Sequence, residues 1–142
     1  MAFLEREPVE TTWKLLDHLS GKFKGEGGKF HMVGYSANSG GSFRVALAMP
    51  GRFHSVTGVS GHPRSANLEE RAPRLQDLKF QFFIGERDAG WMGPAERVHE
   101  QLQALGLESR LEVIEGAGHA IKEIIGTAFM KRMDRMRPGM DS

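Results

Sequence analysis

An α/β fold with a sheet of about four parallel strands is predicted by three observations. Short apolar runs alternate with stretches of helical periodicity along the 142 residues. Several of the runs are near-continuously apolar, as strands buried on both faces of a parallel sheet require. Gly and Pro punctuate nearly every junction. Alternation of this kind predicts parallel strands joined by right-handed helical crossovers. The length fits one domain, residues 1–142.

Taken in order, residues 8–19 read as a helix. Pro8 suits a first helical position, and Val9, Trp13, Leu16 and Leu19 recur on one face. Glycines make residues 21–29 a loop. Phe30 to Gly34 is the first strand, and a helix follows from Ser39 to Met49, stopped by Pro50-Gly51. Residues 54–61, rich in β-branched side chains, form the second strand. Residues 62–77 are polar, carry two prolines, and read as a loop with room for one short helix. Lys79-Phe80-Gln81-Phe82-Phe83-Ile84 is the third strand. A helix begins near Pro94 and stops at Gly106. Residues 110–114 form the fourth strand, and a last helix covers residues 120–136. In that helix Met130, Met133 and Met136 recur every three residues among basic residues, as expected of a helix packing on the sheet with a basic solvent face.

Composition narrows the function. Hydrophobic residues make up 39% and charged residues 26%, the balance of a globular chain. A formal net charge of +1 gives no case for a nucleic-acid partner. With no cysteine, disulfides and thiolate metal sites are excluded. No apolar run is long enough to span a membrane, and the first residues lack a signal-peptide core, so the expected location is cytoplasmic. No histidine pair has metal-ligand spacing, and neither metal nor cofactor is expected. His18, His31, His54 and His99 lie on predicted helices or within strands and read as structural.

In parallel α/β sheets, chemistry collects beyond the carboxyl ends of the strands. Ser36, Asp88 and His119 each lie just past such an end. A serine hydroxyl needs a histidine to take its proton, and that histidine needs a carboxylate to hold its tautomer. Ser36 is the candidate nucleophile, His119 the base and Asp88 the orienting acid. The backbone N–H of Ala37 is the candidate oxyanion donor, because it opens the next helix. Ser39 is the alternative nucleophile, and Glu86 and Asp77 are weaker acids; Asp77 precedes its strand and belongs to the wrong end. Tyr35, His62 and Trp91 are candidate substrate-lining residues, and Trp91 with Met92 fits either a pocket wall or ordinary packing.

The order Ser36, Asp88, His119 resembles that of α/β-hydrolases. Gly34-Tyr35-Ser36 resembles the nucleophile elbow of that superfamily. Gly85-Glu86-Arg87-Asp88 resembles its acid loop, and Gly116-Ala117-Gly118-His119 its histidine loop. The nearest likeness is to the esterase, dienelactone-hydrolase and peptidase-like group, over the C-terminal half of the fold. The resemblance implies a serine hydrolase acting on an ester or related acyl bond of a small molecule through an acyl-enzyme, with no cofactor.

Two departures accompany it. The position two after Ser36 is Asn38 where the family has glycine, and the paired glycines come later, at Gly40 and Gly41. The family also has several strands before the elbow, and this chain has only a helix there. The resemblance therefore implies a partial sheet without its N-terminal strands and without one oxyanion donor. Its elbow strand would be an exposed edge, open to a second copy or to a complementing chain. The alternative function is an inactive hydrolase half serving as an interaction module.

Overall fold

A computed structural model describes residues 2–23, 25–63 and 67–139, with side chains from residue 9 onward. Among the described residues four strands form one sheet: β1 (Phe30–Tyr35), β2 (Phe53–Val59), β3 (Lys79–Gly85) and β4 (Ser109–Ile114). They lie in sequence order, β1-β2-β3-β4, and every pairing is parallel. Helix α1 (Ala2–Lys22) precedes β1, α2 (Ser39–Ala48) joins β1 to β2, and α4 (Ala89–Ala104) joins β3 to β4. The short α3 (Leu68–Arg71) lies between β2 and β3, and α5 (Thr127–Asp134) follows β4.

The period of two along each strand divides the core between two faces. On β3, Phe80 and Phe82 belong to one apolar cluster and Phe83 to the other. The larger cluster draws on α2 through Phe43 and Leu47, and on α4 through Leu102. Phe43 stacks on both Phe80 and Phe82, with centroids 6.5 and 5.5 Å apart. The smaller cluster joins Phe83 and Ile114 to Ile121 and Ile124, with Phe129 of α5 against it. The same face carries buried polar groups. Thr57 and Gln81 are fully buried, and both lie against the Met133 sulfur.

Helix boundaries differ from the sequence reading in three places. α1 starts at Ala2, six residues before Pro8, so the proline sits inside the helix. The strong helix formers before it extend the helix past one missing N–H. Leu16 is buried and Val9 packs on the core, but Trp13 is 53% exposed and is not part of the packed face. α4 starts at Ala89, so Pro94 is its sixth residue and Trp91 and Met92 lie in its first turn. The N–H groups of Trp91 and Met92 both donate to the Asp88 carbonyl, which anchors that turn ahead of the proline. The last helix covers only Thr127–Asp134. Gly126, at φ 58° and ψ −129°, ends the irregular stretch before it in a conformation that other residues rarely adopt. Of the three methionines, Met133 and Met136 are buried and Met130 is exposed.

Among the described residues β1 is one edge of the sheet and pairs with β2 alone. Val33 is 41% and Tyr35 46% exposed along it. No helix among the described residues is long and apolar enough to cross a membrane.

Candidate active site

The carboxyl ends of β1, β3 and β4 open into three adjacent loops. Ser36 follows β1 directly, in the left-handed region at φ 53°. A non-glycine residue there is strained, and such strain persists only where the surroundings hold it. A 3-10 turn, Ser36–Asn38, leads into α2, so the elbow is longer by that turn than a strand running straight into a helix. The close approach of strand and helix depends on Gly34. A Cβ there would stand 2.6 Å from the Ser39 Cα. Gly40 and Gly41 have no atom within 4 Å of such a Cβ and carry no packing role.

The loop after β3 is tied to the loop after β4. Glu86 N–H donates to the Ile114 carbonyl at 3.0 Å and Arg87 N–H to the Ala117 carbonyl at 2.9 Å. The Glu86 carboxylate accepts from the Gly116 N–H at 2.8 Å and so adds a third tie between the two loops. Asp77 lies before β3, at the far end of the sheet.

These loops bring three side chains into one hydrogen-bonded line. Ser36 Oγ lies 2.6 Å from His119 Nε2, and His119 Nδ1 lies 2.7 Å from Asp88 Oδ2. The Asp88 side chain is 9% exposed and the His119 side chain 40%. Asp88 stands at the N-terminal boundary of α4 but makes no side-chain cap there. With the carboxylate on Nδ1, the proton of a neutral ring rests on that nitrogen, and Nε2 is left as acceptor toward the serine. Ser39 is different: it is 1% exposed, and its hydroxyl donates to the Ser36 carbonyl at 2.5 Å.

Tyr35 and Trp91 lie against the same histidine, and His62 lies against Trp91. The Tyr35 hydroxyl donates to the His119 carbonyl at 3.3 Å, and the two rings lie 5.9 Å apart. The Trp91 ring is 5.5 Å from His119 and 5.5 Å from His62. Ala37, next to Ser36, is exposed in the turn. One further contact had no signal in the sequence. Ser60, fully buried after β2, donates to the His119 carbonyl at 2.5 Å. Three other histidines pair elsewhere, His31 with Ser55, His54 with the Glu26 carbonyl and His99 with Ser109. Among the described residues no group of three or more His, Asp or Glu could hold a metal ion.

No protein-family model matches the chain, and no curated protein does. Solved structures do match it. Over 96% of this chain, an uncharacterized protein from Bacillus cereus ATCC 10987 superposes with a TM-score of 0.72 and 13% identity. A thermostable esterase matches over 78% (TM-score 0.62, 18% identity), and a predicted CIB-like hydrolase from Thermoplasma acidophilum over 93% (TM-score 0.60, 16% identity). The fold is a partial α/β-hydrolase fold. Identities this low establish the shared fold and leave activity to be argued from the site. The chain spans 45%, 29% and 57% of these three proteins. β1, the strand that leads into Ser36, lies at one end of the strand order.

Proposed function

We propose that the chain is a serine hydrolase that cleaves an ester or related acyl bond of a small molecule. The observation that carries this reading is the line from Ser36 Oγ through the His119 ring to Asp88, with links of 2.6 and 2.7 Å. Ser36 rather than Ser39 is the nucleophile in this reading, because the Ser39 hydroxyl is buried and committed to a carbonyl.

The reaction then runs in two halves. Ser36 Oγ attacks the substrate carbonyl carbon as its proton passes to His119 Nε2. The Asp88 carboxylate stabilises the imidazolium. The carbonyl oxygen becomes an oxyanion that the Ala37 N–H stabilises. The tetrahedral species collapses, and the departing alcohol takes the proton from His119. Water, deprotonated by the same nitrogen, then attacks the acyl-enzyme; the bond to Ser36 Oγ breaks, His119 returns the proton to that oxygen, and the acid is released. Tyr35, Trp91 and His62 line the approach, and their aromatic faces suit an apolar or planar group. The proposal needs no cofactor and sets the protein in the cytoplasm.

A fluorophosphonate probe tests the assignment. Wild type and Ser39→Ala are expected to be labelled, and Ser36→Ala to lose labelling entirely. Unchanged labelling of Ser36→Ala would refute Ser36 as the nucleophile.

A second reading is favoured by the edge position of β1, whose Val33 and Tyr35 are exposed. In it the chain is a hydrolase half that works as an interaction module, or regains activity when a second copy or a complementing chain pairs with β1. Native mass spectrometry separates the two: a stable, labelled monomer supports the first reading and removes the second.

A further inference from the structure

We infer that Ser60 is a positioning residue for the base, holding the His119 backbone so that the ring stays between Ser36 and Asp88. The inference rests on the serine-hydrolase reading. It adds to it a role for the turn after β2, which supplies no member of the catalytic line.

His119 needs such a hold. It sits in the irregular stretch between Ile114 at the end of β4 and Thr127 at the start of α5, with no helix or strand of its own. Its ring is bonded at both nitrogens, but a ring turns with its backbone. Two side chains donate to the His119 carbonyl. Ser60 Oγ does so at 2.5 Å from a fully buried position, and the exposed Tyr35 hydroxyl does so at 3.3 Å. Of the two, the buried and shorter contact is the stiffer.

Ser60 is itself rigidly placed. Its N–H donates to the Phe83 carbonyl of β3 at 2.8 Å, so the turn is fastened to the sheet. Its φ is 53°, in the left-handed region that Ser36 also occupies. A glycine would adopt this conformation without strain. A serine here accepts the strain and gains a hydroxyl aimed at the base loop, and strain of that kind collects at functional sites.

The next residue ties the same turn to the nucleophile. A Cβ on Gly61 would stand 2.6 Å from the Ser39 Cβ and 2.7 Å from the Ser36 carbonyl oxygen. The Ser60-Gly61 turn thus touches the histidine loop through one residue and the elbow through the other. It sets the spacing across which the proton passes.

Ser60→Gly removes the hydroxyl and relieves the strain, so a fold defect does not obscure the result. Two readouts are compared with wild type in the full chain. The first is the rate of labelling by a fluorophosphonate. The second is the downfield proton resonance of His119 Nδ1–H in protein with ¹⁵N-labelled histidine, assigned by its loss in His119→Gln. Ser60→Gly is expected to label about 10- to 100-fold more slowly. Its Nδ1–H resonance is expected to move upfield and exchange faster with water, with no fall in melting temperature. An unchanged resonance in folded Ser60→Gly overturns the inference, whatever the labelling. If wild type resists the probe but the resonance shifts in Ser60→Gly, the hydrolase reading fails and the positioning role stands. Ser60→Cys retains a weak donor and is expected to fall between the two. It replaces Ser60→Gly in the same two measurements should that variant not fold.

Discussion

Adding one methyl group at Gly34 tests whether the elbow geometry is set by the contact between β1 and α2. In Gly34→Ala the new Cβ would lie 2.5 Å from Ser42 Oγ and 2.6 Å from the Ser39 Cα. The serine hydroxyl can rotate away, but the Cα belongs to the helix backbone. Ordinary contact begins at 3.4 Å, so strand and helix must separate by 3.4 − 2.6 = 0.8 Å. Ser36 joins the two elements. If it took the whole displacement, its 2.6 Å link to His119 would lengthen to 2.6 + 0.8 = 3.4 Å, the limit of a hydrogen bond. Overpacking of this size costs about 1–3 kcal/mol. At this chain length that lowers the melting temperature by about 3–10 °C. Misplacement of a nucleophile by up to an ångström slows its reaction by about 10- to 100-fold. Gly40→Ala is the matched control. It adds a methyl group inside α2 with nothing within 4 Å, and is expected to stabilise by about 0.5–1 kcal/mol with labelling unchanged. Thermal denaturation and the rate of fluorophosphonate labelling read both variants. A Gly34→Ala protein that melts and labels like wild type would refute the argument.

Three further outcomes follow from other parts of the molecule. Burial, and then the neighbouring His54, lower the pKa of His31 from 6.5, against the opposing pull of Glu26 and together with Lys79 and Arg137. Its cation is disfavoured in the fold, so stability is full above 6.5 and falls as pH drops from there toward the folded value. His31→Gln should flatten that slope in urea titrations carried downward from above pH 6.5, leaving the same-signed contribution of the half-buried His99; an unaltered slope would exclude His31 as its source. Glu112 accepts from Arg132 at 2.6 and 2.9 Å, and this hydrogen bonding lowers its pKa from 4.5. Its contribution is therefore present above 4.5 and lost as pH falls through the folded value. Glu112→Gln should cost about 1 kcal/mol at neutral pH and converge with wild type in acid. Val33→Lys puts a charge on the open β1 edge and should abolish any self-association seen by light scattering; wild type that stays monomeric at every concentration would dispose of edge pairing.

The sheet was legible because its strands are short apolar runs between glycines and prolines, and their order along the chain is their order in space. Helix ends were less so. Pro8 and Pro94 suggested starts, yet each lies inside a helix, because a proline early in a helix removes one bond and does not forbid the turn before it. The last helix was overdrawn because Ile121 and Ile124 keep an apolar rhythm without helical backbone. They are buried in the second core from an irregular segment, and Gly126 at positive φ separates them from α5. Trp13 has helical spacing with Leu16 and is still exposed, since α1 meets the rest of the molecule chiefly through α2.

The candidate site divides in the same way. Ser36, Asp88 and His119 could be named because strand ends in a parallel sheet share one edge, and each residue carries chemistry that the other two complete. What holds them could not. The elbow's need for small residues is met by Gly34 on its own strand and by Gly61 in the turn after β2, and the position two after Ser36 plays no such part. In sequence Ser60 looks like an ordinary turn serine, and Ser39 reads as the start of a helix or as an alternative nucleophile. Each is buried, and each donates at 2.5 Å to the backbone carbonyl of a residue in the hydrogen-bonded line, Ser36 in one case and His119 in the other. The partner of Ser60 lies 59 residues away, a separation with no periodicity to reveal it. Residues that react are constrained by chemistry, which residue type records. Residues that position are constrained by backbone geometry, which becomes visible only as a positive φ and a short contact.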